Sequence, residues 1–171
     1  MAAGATYEPI ATTTLGSNQN DIVFTSIPST YTDLVIVFTG NSTNTGSSTN
    51  GMRCRVNGDT GNNYSTMYMN GDGSTASSSR ASSTAYFEIG EIAQTSNTAP
   101  TVARIAIMNY ANSTTFKTIL ARVDTATVIT QGSVSVWRST SAINSVTLSR
   151  DFGTNQLKAG STATLYGIAA A

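Results

Sequence analysis

The sequence predicts an all-β chain, folded as an antiparallel β-sandwich or jelly-roll-like single domain, on three observations. Short segments rich in Val, Ile and Thr alternate with Gly, Asn and Ser clusters along nearly the whole chain, and the first set suits pleated strands while the second suits turns. The most continuous apolar run, Leu34-Val35-Ile36-Val37-Phe38, is too short for a helix and is β-branched, so it reads as a strand buried on both faces. No stretch of useful length places its apolar residues at helical spacing. At 171 residues the chain can bury roughly two-thirds of its unfolded surface, enough for a core without disulfide or metal staples.

Taken in order, Tyr7 to Leu15 is Thr-rich and extended, and Pro9 marks it as an edge or an entry strand. It belongs to an extended amino-terminal segment of about residues 1–15. Asp21 to Ile27 follows and Pro28 closes it; Thr32 to Phe38 holds the buried run. Met52 to Val56 alternates, and Asn57-Gly58 supplies a strong two-residue turn signal. Residues 59–83 then read as one long surface excursion, broken by Thr60-Gly61-Asn62-Asn63 and Asn70-Gly71-Asp72-Gly73. Strand character returns at Ala85 to Ile92, Val102 to Tyr110, Phe116 to Val123, Thr127 to Arg138, Val146 to Arg150 and Ala163 to Ile168. That makes about nine or ten strands at the spacing of a two-sheet fold.

The excursion carries Tyr64, Met67, Tyr68 and Met69, which is less polar than a free loop. These four are the candidate subunit-contact residues, with packing against the chain's own sheet as the competing explanation. Tyr7, Tyr64, Tyr68, Tyr86, Tyr110 and Trp137 are scattered over several strands, a pattern of core fillers rather than of a sugar-stacking platform.

Charged residues make up only 11% of the chain and the formal net charge is +0. No basic stripe is available to neutralise phosphates, so nucleic acid is not an expected partner. Near-zero charge also gives copies of the chain little cause to repel one another. The amino terminus has no basic, apolar signal pattern and nowhere do 18 apolar residues run together, so synthesis in a cytoplasm without membrane insertion is expected. Cys54, the sole cysteine, sits in the alternating strand and reads as a buried thiol.

The chain contains no histidine, which removes the commonest general base and metal ligand together. Glu88 and Glu91 are close in sequence, but on a strand they point to opposite faces and make no preset acid pair. Asn57-Gly58-Asp59-Thr60-Gly61-Asn62 and Asn70-Gly71-Asp72-Gly73-Ser74 superficially resemble calcium loops. Neither completes the ligand pattern, and turn chemistry accounts for both. No catalytic, cofactor-binding or metal-binding residue is expected, and no enzymatic activity.

Four blocks resemble a family of small virion structural proteins of tailed bacteriophages. They are Tyr7-Glu8-Pro9-Ile10-Ala11-Thr12-Thr13-Thr14-Leu15; Phe24 to Val35 with Ile27-Pro28-Ser29-Thr30-Tyr31 inside; Val56-Asn57-Gly58-Asp59-Thr60-Gly61-Asn62-Asn63-Tyr64; and Ala159 to Ile168, ending Leu165-Tyr166-Gly167-Ile168. The resemblance spans nearly the whole chain and transfers no catalytic residue. It implies an external virion component, such as a capsid decoration or cement protein on the virion surface. The partners it implies are copies of itself, as a homotrimer or other cyclic oligomer, and the major capsid protein or tail proteins. A receptor- or glycan-binding module of a tail or head fibre, facing a host surface receptor, is the alternative.

Overall fold

A computed structural model describes residues 6–45, 50–93, 99–125, 128–150 and 155–169. Among the described residues there are twelve strands: β1 (Tyr7–Thr14), β2 (Asp21–Phe24), β3 (Asp33–Gly40), β4 (Asn50–Val56), β5 (Tyr64–Gly71), β6 (Ala76–Thr84), β7 (Phe87–Ile92), β8 (Thr101–Met108), β9 (Lys117–Thr125), β10 (Ile129–Trp137), β11 (Val146–Ser149) and β12 (Thr162–Ile168). They form two antiparallel sheets, one of eight strands in the order β1-β12-β3-β8-β9-β10-β5-β6 and one of four in the order β2-β11-β4-β7. No helix occurs among the described residues. The fold is an all-β sandwich with unequal layers.

Alternation decides which side chains enter the space between the sheets. On β9, Ile119, Ala121 and Val123 are buried and Leu120 and Arg122 are not. From the small sheet, Ile22, Phe24, Met52, Cys54, Val56, Phe87 and Leu148 meet Leu34, Ile36, Phe38, Ile105, Tyr64 and Trp137 from the large one. Ten of the strands fall where apolar alternation or β-branched runs place them. The exception is the stretch 59–83. Expected as a loop excursion, it instead holds β5 and β6, paired with each other and, through β5, with β10. Of the amino-terminal segment, residues 1–5 lie outside the described residues; Tyr7–Thr14 is likewise part of the sheet, because β1 pairs along its length with β12 and is bulged between Pro9 and Ala11.

Asn57 and Gly58 both adopt left-handed φ (52° and 64°), as a type I′ turn requires. The turn carries the chain from the small sheet to the large one instead of closing a hairpin. Cys54 is fully buried on β4, and burial pushes its thiol well above the ordinary value. A thiol-reactive dye should therefore leave the folded protein unlabelled and react fully once denaturant is added. Stoichiometric labelling in native buffer would contradict this burial.

Candidate subunit-contact surface

The four candidate residues separate by strand parity. Tyr64, at the start of β5, points inward and is fully buried. Its ring stacks on Trp137 (6.5 Å between centroids) and tilts against Phe87 (5.9 Å), and its hydroxyl donates to the Asp59 carbonyl at 3.0 Å. It therefore serves the chain's own core, and burial holds its phenol well above the usual range. Tyr68 is half-buried, on the same side of β5 as Tyr64 and Thr66. Met67 and Met69 point the opposite way, onto the uncovered face of the large sheet, and are 60% and 68% exposed.

That uncovered face carries a feature the sequence reading missed. Directly opposed residues run Pro9, Tyr166, Val35, Ala106, Leu120, Val134 and Met67 across β1, β12, β3, β8, β9, β10 and β5. The row ends on β6 at Arg80, opposite Met67. It is apolar across seven neighbouring strands, and cross-strand neighbours of this kind are the unit of sheet stabilisation. At Val35 the row is covered, with only 3% exposed. There Tyr7 packs edge-on against Tyr166 and takes a hydrogen bond from the Arg104 guanidinium at 3.0 Å. From Leu120 to Met67 it lies open, and Met67, Arg80, Val134 and Val136 line a groove of about 290 Å³. The missed signal was apolar residues at both strand parities: Val102, Leu120 and Val134 sit between inward-facing neighbours.

The charges on this face are few. Arg104 and Arg122 are directly opposed on β8 and β9, an unfavourable pairing in itself. Each is drawn aside, Arg104 to the Tyr7 hydroxyl and Arg122 to Asp124 at 2.9 Å.

The other candidate chemistries look different in three dimensions. Glu88 and Glu91, expected on opposite faces, share one. Gly90 (φ 154°) and Ile89 together oppose Met52, so a bulge shifts the parity of β7. Gly90 is required there, because a Cβ would fall 2.8 Å from the Val123 side chain. The pair does not frame a substrate cleft. Glu88 lies 3.7 Å from Arg53, and the space between Gly51, Tyr68, Glu88, Gly90, Glu91 and Gln131 is about 20 Å³, room for about one water.

The two calcium-like loops commit their carboxylates to their own turns. Asp72 Oδ1 accepts from the Ser74 and Thr75 N–H groups at 2.9 and 2.6 Å, which hold its carboxyl below the ordinary value. Asp59 accepts from Gly61 N, Asn63 Nδ2 and Trp137 Nε1 at 2.8, 2.9 and 2.6 Å. Among the described residues no group of three His, Cys, Asp or Glu could hold a metal ion. A shallow cavity of about 400 Å³ beside Asp72, Asp124 and Thr130 lies where the β5–β6 and β9–β10 turns meet. One buried cation was not foreseen: Lys117 donates to the Thr115 and Thr140 carbonyls at 2.8 and 3.2 Å, pinning two loops.

Compared with known proteins, the chain matches no family model and no curated protein.

Proposed function

We propose that this protein is an external structural component of a tailed-phage virion, a decoration or cement protein that stabilises the particle through subunit contacts and performs no chemistry. The observation that carries this reading is the apolar row across seven strands of the large sheet, open to solvent from Leu120 to Met67. Apolar surface of that extent on a soluble domain marks a contact. The sequence resemblance to phage virion proteins supports the same reading and supplies the setting: the virion surface, in contact with copies of itself and with the major capsid or tail proteins. Such a component gains from a nearly uncharged, Ser- and Thr-rich exterior, because few long flexible side chains must be immobilised at each contact.

The test is a chain count on purified virions by quantitative gel densitometry, combined with heat release of DNA from particles lacking the protein. Hundreds of copies per particle, and particles that open at lower temperature without it, are the expected results. A few to tens of copies would instead favour the receptor-binding alternative. Absence from the particle would overturn both.

A further inference from the structure

We propose that the outer face of the eight-stranded sheet is covered by the same face of a second copy, across a twofold axis. This deepens the proposed function, on which its biological setting rests, by naming the partner of the contact surface. The face itself sets the scale. Eight strands spaced about 4.8 Å apart, each of about eight residues at about 3.3 Å, give a face of about 34 by 26 Å, or about 900 Å². A stable association buries about 800 Å² on each partner, so a second copy must engage nearly the whole face, its covered part around Val35 as well as its open part.

The residues on the face fit that occupant. Met67, Met69, Leu120 and Val134 are exposed on it, with Val37, Val102 and Met108 on the neighbouring strands, and methionine adapts to a facing surface that presents the same side chains. Two sheets packed face to face stand about 10 Å apart, with their side chains interdigitated. The chain's net charge is +0, so two copies approach without long-range repulsion. A face that covers itself must do so isologously, which requires a twofold. A threefold ring would use two unlike patches on each copy and leave this face open to water.

The sheet edges do not offer an equal contact. β1 is blunted by Pro9 and a bulge, and β6 carries Arg80 at its centre, the residue that a symmetric edge pairing about that centre would place against its own copy.

Light scattering of the purified protein at micromolar concentration is the test, and the expected mass is twice 17.8 kDa. Val134→Asp and Leu120→Asp each place a carboxylate in the centre of the face, and each should weaken association at least about 100-fold. Their thermal transitions, measured on the resulting monomer, report that the fold is kept. Ser79→Pro on the β6 edge should leave the mass unchanged. A second readout needs no substitution: peroxide should oxidise Met67 and Met69 more slowly in concentrated than in dilute wild-type protein. A monomer, a trimer, a dimer indifferent to Val134→Asp, or oxidation rates independent of concentration would each overturn the proposal. Because all of this is read on isolated protein, it fails or stands separately from the chain count on virions.

Discussion

Asp59→Ala is expected to cost about 3 kcal/mol of folding stability and to lower the melting temperature by about 10 °C for a chain of this length. That cost follows from what the carboxylate holds. Its Oδ2 accepts from the indole N–H of Trp137 at 2.6 Å and from Asn63 at 2.9 Å, and its Oδ1 from the Gly61 N–H at 2.8 Å. Trp137 is 3% exposed, so truncation leaves a buried donor with no acceptor, which alone costs about 1–3 kcal/mol. The remainder comes from the charge-assisted bonds that order the 57–63 turn. Asp59→Asn keeps an acceptor oxygen and should lose about half as much. Trp137 is the only tryptophan, so its fluorescence through a denaturant titration measures both variants directly. A loss under about 1 kcal/mol for Asp59→Ala would show that water replaces the carboxylate without penalty.

The same residue gives the protein an acid limit. Partial burial raises the Asp59 carboxyl, but the hydrogen bonds from Trp137, Asn63 and Gly61 together outweigh it and hold the carboxyl below its ordinary value. A carboxyl lowered in the folded state contributes stability that is complete above the unfolded value of about 3.9 and is lost as pH falls through the folded value. Wild-type stability should therefore drop below pH of about 4 more steeply than that of Asp59→Asn, which has no proton to take up at this site.

Strands whose stability comes from burial were legible, because burial leaves a period-two apolar trace: β8 shows it in Ile105 and Ile107, β9 in Ile119, Ala121 and Val123. β6, Ala-Ser-Ser-Ser-Arg-Ala-Ser-Ser-Thr, leaves none. It is exposed along most of its length and is held by its ladder to β5, so nothing in its composition distinguishes it from a polar loop. Glu88 and Glu91 were misread for a different reason. Parity along β7 is reversed by a bulge whose glycine is demanded by Val123 on another strand, and no local pattern encodes a neighbour 33 residues away. Among the candidate contact residues, the sequence could not separate Tyr64 and Tyr68 from Met67 and Met69, because both faces of β5 carry large side chains. Only the register against β10 shows that one set faces Trp137 and the other faces water.

Gly167→Ala is expected to cost about 3 kcal/mol, at the upper end for overpacking, and the cost should vanish when Tyr31 is removed with it. Gly167 lies on the inward side of β12, and a Cβ built there would clash with the ring atoms Cγ, Cδ1 and Cδ2 of Tyr31. Its φ is not left-handed, so the requirement for glycine is steric and not conformational. Tyr31 cannot swing clear freely. Its hydroxyl donates to Glu8 at 3.1 Å, and its backbone N–H reaches the Tyr110 hydroxyl at 3.4 Å. Glu8, Tyr31 and Gly167 come from three separate sequence blocks, 7–15, 24–35 and 159–168, and Asp59 comes from a fourth, 56–64. Blocks far apart in the chain thus meet as paired packing devices, one closing the β1–β12 edge and the other clasping Trp137. A double-mutant cycle measures the first device: Gly167→Ala in a Tyr31→Ala background should cost under about 0.5 kcal/mol, a coupling of more than about 2 kcal/mol. Equal costs in the two backgrounds would mean that the ring yields to a methyl group, and that glycine stands at 167 for some reason other than Tyr31.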